Sequence, residues 1–235
     1  MRMLSFLVFL SAAVGVFPSP APAEVFVRDT VSPENREVIL SAETKGIFFV
    51  RGGELVEFFI DGKSIGKNLS GGDGVALKRF VPPSIGLYKI RVRSGSDEDE
   101  GLLLTLRRTT PMIFIDVEGS LFEKPYIEKA KSGSTRAVRT IRRKHSVIYL
   151  QTGRRSVRAL KSWLSENRFP AAPVLSWRRG KVFEDMAEQK MRIKAVVGRP
   201  EIIESAKSYK PLAFSFDGTD DAEVVRDWED VLKGL

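Results

Sequence analysis

Met112-Ile113-Phe114-Ile115 is an unbroken apolar tetrad that runs directly into Asp116, Val117 and Glu118, followed by the turn signal Gly119-Ser120. A strand with one wet face alternates polar and apolar residues, whereas an unbroken run suits a strand covered on both faces, as in parallel sheets. Ligands of such sheets collect outside the carboxyl ends of the strands, which is where this pattern puts Asp116 and Glu118.

The sequence beyond Thr109 continues in the same manner. A helix is expected over Thr135 to Lys144 with Val138 and Ile141 on one face, then a strand over Val147 to Leu150. Thr152-Gly153-Arg154 leads into a helix on which Val157, Leu160 and Leu164 recur at helical spacing. Val174-Leu175 suggests a third strand, Glu184 to Val197 a helix, and Leu212 to Phe216 a strand ending at Asp217. Strands alternating with helices imply α/β architecture, a doubly wound parallel sheet.

The preceding part reads differently. Leu55 to Ile60, Val75 to Phe80, Leu87 to Val92 and Leu102 to Leu106 are strand-like runs separated by short turn signals, with a further strand expected over Ile47 to Val50. Ser96 to Glu100 reads as an acidic loop. Pro82, Gly86 and Tyr88 have the spacing of the corner that precedes a late strand in immunoglobulin-like sandwiches, where a Tyr hydroxyl bonds back to the backbone. An all-β sandwich of six or seven strands is expected. Asp61, Asp73 and Asp97 to Glu100 suit turns better than a calcium site, because Asp beside Gly is a common turn former.

At the start, a short basic stretch precedes the apolar run Leu4 to Phe17, and Ala21-Pro22-Ala23 has the pattern of a signal-peptidase site. The expected organisation is therefore a signal peptide over 1–23, an immunoglobulin-like domain over 24–108 and an α/β domain over 109–235, exported to the periplasm or beyond. The chain has no Cys, which excludes disulfides and thiol chemistry.

The string Asp116-Val117-Glu118-Gly119-Ser120 resembles the first motif of the haloacid dehalogenase (HAD) superfamily of phosphohydrolases. Thr152 resembles its second motif, and Asp217 with Asp221 resembles its terminal acidic motif. The run from Val147 to Pro173 is similar to lipin-type phosphatidate-phosphatase domains of that superfamily. The resemblance implies a HAD-like fold and an aspartyl-phosphate mechanism on a phosphomonoester, with a lipid phosphate as one substrate class. Asp116 would be the nucleophile, Glu118 the acid and base, and Thr152 a phosphate ligand. Lys194, or else Lys190, would neutralise charge, and Mg2+ would be held by Asp116, residue 118, Asp217 and Asp221, with Asp220 able to substitute. Gly119, Ser120, Gly153 and Arg154 would line the substrate. Glu118 departs from the superfamily's Asp by one methylene, and a misplacement of about an ångström can cost on the order of a hundredfold in rate.

Charge points independently to an anionic partner. Met112 to Leu235 holds 24 Lys and Arg against 17 Asp and Glu, which accounts for most of the net charge of +8. Arg136, Arg139, Arg142, Arg143 and Lys144 form one basic helical face, and Arg154, Arg155, Arg158 and Lys161 a second. Either serves solubility, or attraction to a phosphorylated substrate or an anionic membrane surface. Nucleic acid is not expected, since no recognisable module or interleaved aromatics accompany the charge. Two readings follow: an exported Mg-dependent phosphohydrolase, or a noncatalytic envelope protein that binds an anionic ligand or a protein partner.

Overall fold

A computed structural model of the chain describes residues 24–46, 49–124 and 127–235. The expected signal peptide over 1–23 lies outside the described residues. The first half contains β1 (Glu24–Val27), β2 (Thr30–Pro33), β3 (Val38–Lys45), β4 (Leu55–Ile60), β5 (Lys63–Leu69), β6 (Val75–Phe80), β7 (Gly86–Ser94) and β8 (Asp97–Leu106). They form a three-stranded sheet, β1-β3-β6, and a five-stranded sheet, β2-β8-β7-β4-β5. The inward side chains alternate, as a half-buried strand requires. Val38, Leu40 and Ala42 of β3 meet Ile90 and Val92 of β7 and Phe58 of β4 in one core. Tyr88 closes the turn before β7, its hydroxyl donating to the Ser84 carbonyl at 2.7 Å and accepting from the Ser84 amide at 3.1 Å.

The expected loop Ser96 to Glu100 is instead mostly the beginning of β8. Its carboxylates clamp β1, with Asp97 accepting from the Val25 amide and Asp99 from the Val27 amide, at 2.5 and 2.8 Å. Their lone pairs serve the backbone, so the acidic run is a strand-pairing device. Of the expected strand Ile47 to Val50, Ile47 and Phe48 lie outside the described residues, and Val50 makes only an isolated bridge to Lys45.

The second half contains β9 (Met112–Asp116), the hairpin β10 (Phe122–Lys124) and β11 (Ile127–Ala130), and α1 (Ser134–Arg142). It continues with β12 (Ser146–Gln151), α2 (Val157–Glu166), β13 (Val174–Ser176), α3 (Lys181–Glu188), β14 (Ile193–Val197), α4 (Pro200–Ala206), β15 (Leu212–Ser215), β16 (Glu223–Val224) and α5 (Trp228–Gly234). Six of these strands make a parallel sheet in the order β13-β12-β9-β14-β15-β16. Ile113 and Ile115 face a core with Val138 of α1, Leu160 of α2 and Trp228 of α5. Met112 and Phe114 face the opposite core, with Phe183 of α3 and Ile202 of α4.

Taken as a whole, the chain is mainly β. Among the described residues strand accounts for 42% against 25% helix, and most of the strand lies in the first half, which corrects the expectation of an α/β, HAD-like chain. The helix expected over Glu184 to Val197 is also corrected. It ends at Glu188, and Ile193–Val197 is a strand, because Lys190 takes a left-handed conformation (φ 58°) that breaks the helix before the β-branched run.

The two halves share a core. Leu103 of β8 points into the sandwich, while Leu104 and Leu106 point the other way and pack with Met112, Phe114 and Phe183. Asp29 fixes the register of this junction. Its buried carboxylate accepts from the Leu102 and Val174 amides, both at 2.8 Å, and pairs with Lys161 at 2.6 Å. Burial pushes the Asp29 carboxyl above its ordinary value, against the pull of Lys161 and the two amides. Replacing it by Ala strands a lysine and two amides in the interface. Asp29→Ala is expected to lower stability by about 3 kcal/mol, read as a fall in the urea midpoint.

Candidate functional site

The strand order of the parallel sheet reverses between β9 and β14, and crevices at such reversals are where open parallel sheets bind ligands. Three loops leave the carboxyl edge there: Asp116 to Gly119 after β9, Thr152-Gly153 after β12, and Gly198-Arg199 after β14. Val117–Leu121 forms a single π-type turn, which Asp116 caps by accepting from the Gly119 amide at 3.1 Å. The Asp116 carboxylate is fully buried. Thr152 Oγ1 donates to its Oδ1 at 2.5 Å, and Arg199 Nε donates to its Oδ2 at 2.8 Å. Arg199 also donates to Thr152 Oγ1 at 2.6 Å, which closes a three-membered network. Burial works against the Arg199 charge, but Asp116 and the neighbouring carboxylates more than compensate, and its pKa stands above the ordinary value.

Glu118 belongs to a second pair beside the first. The Gly153 amide donates to its carboxylate, and the Arg155 guanidinium lies 3.7 Å away. Arg155 also pairs with Glu128 at 2.6 Å. Space is tight at both glycines, and a side chain at either would force its neighbours to move. A Cβ at Gly119 would overlap Asp116 and Arg199, and one at Gly153 would overlap the Glu118 carboxylate.

The structure therefore brings Asp116, Glu118, Gly119, Thr152 and Gly153 to one place, and it sends the remaining expected residues elsewhere. Lys194 is the second residue of β14, so it sits toward the amino edge of the sheet, where its Nζ donates to the Leu235 carbonyl at 2.8 Å and lies 3.1 Å from His145 Nε2. Lys190 precedes the same strand and is exposed at that edge. Asp217, Asp220 and Asp221 are exposed. Asp221 pairs with Lys207 at 2.9 Å, and Asp217 acts on Lys131, whose ammonium lies over the Phe216 ring. Ser120 is fully buried and turned away from solvent, so it cannot line a substrate site. Arg154 is exposed and lines a groove of about 440 Å³ with Glu24, Lys45 and Arg158 at the junction of the halves.

Mg2+ does not fit this arrangement. A divalent cation needs free carboxylate and carbonyl lone pairs, whereas the Asp116 oxygens face a guanidinium, a hydroxyl and an amide. Among the described residues no group of three or more acidic or His side chains converges. The sequence reading missed Arg199 because it carried a helix through Val197. An apolar strand followed by Gly198-Arg199-Pro200, with Pro at the first turn of α4, was the available signal.

No family model matches the chain, and no curated protein matches it. It is similar to solved β domains. The D00-D0 domain of intimin matches at 10% identity and a TM-score of 0.32, with 39% of this chain and 50% of that one covered. Fibronectin(III)-like modules of Clostridium thermocellum CbhA match at 16% identity and a TM-score of 0.26, with 35% and 97% covered. The M1 domain from titin matches at 14% identity and a TM-score of 0.27, with 37% and 95% covered. The chain thus spans about half the length of the intimin fragment. Neither a family model nor these similar structures support the resemblance to the haloacid dehalogenase superfamily, which the β-domain matches contradict.

Gly153→Ala should destabilise the protein by about 1–3 kcal/mol through overlap with Glu118, and Glu118→Ala in the same chain should recover part of the loss in a double-mutant cycle. At the opposite edge, burial lowers the His145 pKa below 6.5, with Lys194 and Lys144 adding to the effect. The unfolded chain then binds more protons just below that value, so this contribution is present above pH 6.5 and is lost as pH falls through the folded pKa. His145→Gln should flatten the fall in denaturation midpoint below that pH.

Proposed function

We propose that this chain is an exported, noncatalytic envelope protein that binds an anionic membrane surface through a cationic face at the amino edge of its parallel sheet. The observation that carries this reading is the contrast between its two basic helical faces. On α2 the cations are matched by carboxylates of the first half: Arg158 lies 3.4 Å from Asp99, and Lys161 lies 2.6 Å from Asp29. On and after α1 they are not. Among the described residues Arg136, Arg139, Arg142, Arg143 and Lys144 have no carboxylate partner, and Arg139 donates only to the Arg168 carbonyl.

The loops entering the sheet add to that face. The Arg192 amide donates to the Arg108 carbonyl, the Met112 amide to the Arg192 carbonyl and the Ser146 amide to the Pro111 carbonyl, at 3.0–3.2 Å. These bonds gather Arg192, Lys190 and the end of α1 at one edge. A spread of exposed cations suits a fluid array of lipid phosphates better than one small ligand, and each Lys or Arg near such a surface contributes about 1 kcal/mol. Export rests on the expected signal peptide. Among the described residues no helix is long and apolar enough to cross a membrane.

The test is co-sedimentation with phosphatidylglycerol and phosphatidylcholine vesicles, run beside a phosphate-release assay with Mg2+ on phosphomonoesters and phosphatidate. The protein should bind the anionic vesicles only and release them at high salt. Arg139→Glu, Arg143→Glu and Lys144→Glu together should weaken binding on the order of a hundredfold or more. Phosphate release should not exceed that of Asp116→Asn. Equal binding to neutral vesicles, or Asp116-dependent turnover, would overturn the reading.

A further inference from the structure

The carboxyl edge carries a second inference, independent of the cationic face. Three donors from three different loops converge on the Asp116 carboxylate: Arg199 Nε at 2.8 Å, Thr152 Oγ1 at 2.5 Å and the Gly119 amide at 3.1 Å. A guanidinium, a hydroxyl and a backbone amide together are the surroundings proteins build for an oxyanion. They are the reverse of a cation site, which presents acceptors. The carboxylate they hold is fully buried, and it arrives from the end of β9, so the chain itself supplies the anion. The Arg199 side chain is about a quarter exposed, so the donor side of the cradle reaches the surface. Gly119 contributes by what it lacks, since any Cβ there would fall between Asp116 and Arg199.

We infer that Asp116 is the resident ligand of an oxyanion cradle formed by Arg199, Thr152 and Gly119, and that removing its carboxylate uncovers a site for a small external oxyanion of the carboxylate or phosphate class. In the native chain the cradle is closed by its own side chain. An external anion has to displace a carboxylate that the backbone already holds in place, and a well-oriented intramolecular group outcompetes a free one. The glycine and the π-type turn that set the reach of Asp116 are positioning elements of this closure.

The experiment is anion rescue of Asp116→Ala, followed by thermal unfolding and by titration calorimetry with formate, acetate and inorganic phosphate against chloride at matched ionic strength. Asp116→Ala should lose roughly 10 °C in Tm. Formate or acetate should restore a large part of that loss saturably if the cradle selects carboxylates, and phosphate should do so if it selects the larger anion. Chloride should do neither. The native protein should gain nothing from any of them, and Asp116→Ala combined with Arg199→Met should lose the rescue. Saturable binding of any of these oxyanions by the native protein at Arg199 would overturn the inference, and that arm stands even where Asp116→Ala fails to fold. A soluble Asp116→Ala protein without anion-specific gain would overturn it equally.

Discussion

Asp29 is the group on which the arrangement of this molecule depends. A carboxylate with no exposed side-chain surface stays in a folded protein only when its lone pairs are met by donors, and here those donors come from three separate elements. Leu102 belongs to the sandwich, Val174 opens β13 and Lys161 belongs to α2. Satisfying one buried charge therefore sets how the two halves meet. The same contact determines the fate of α2, because docking its polar face on Asp29 and Asp99 pairs its cations with carboxylates of the first half.

The two edges of the parallel sheet differ in electrical character for a related reason. At the carboxyl edge Asp116 and Glu118 are matched by Arg199 and Arg155, so each buried carboxylate has its own guanidinium. At the amino edge Lys190, Arg192, Arg143 and Lys144 are exposed without carboxylates among the described residues. Carboxylates at strand ends suggest metal chemistry when only sequence is considered. The decisive fact is what surrounds them, and here they are surrounded by donors.

Part of the site was legible in the sequence and part was not. Asp116 and Thr152 each follow an apolar strand directly, so strand pairing alone suffices to bring them together. Asp217 also follows a strand, but β15 lies one position beyond β14, and its acids turn outward toward Lys131 and Lys207. Lys194 failed for a simpler reason. Within a strand of five residues, position two and the residue after position five are at opposite edges of the sheet, so a lysine near the start of β14 cannot serve a site built on Arg199 just past its end. The boundary that would have revealed this was hidden because apolar residues at helical spacing in α3 run almost without interruption into β14. The order of acidic motifs along the chain likewise gave an impression of family membership that no comparison supports.

The unpaired cations of α1 can be weighed against a purely internal role. Positive charge in the last turn of a helix stabilises it by about 0.3–1 kcal/mol per residue, which gives Arg139 and Arg142 a structural reason to exist. Like charges three and four residues apart cost about 0.2–0.5 kcal/mol per pair, and Arg136, Arg139, Arg142 and Arg143 stand in several such relations. The two effects roughly cancel, so the helix gains little from carrying all of them. α2 shows that this chain places carboxylates opposite its cations where an internal contact is needed, as Asp29 and Asp99 do. The absence of such partners among the described residues around α1 is what an external counter-charge would relieve.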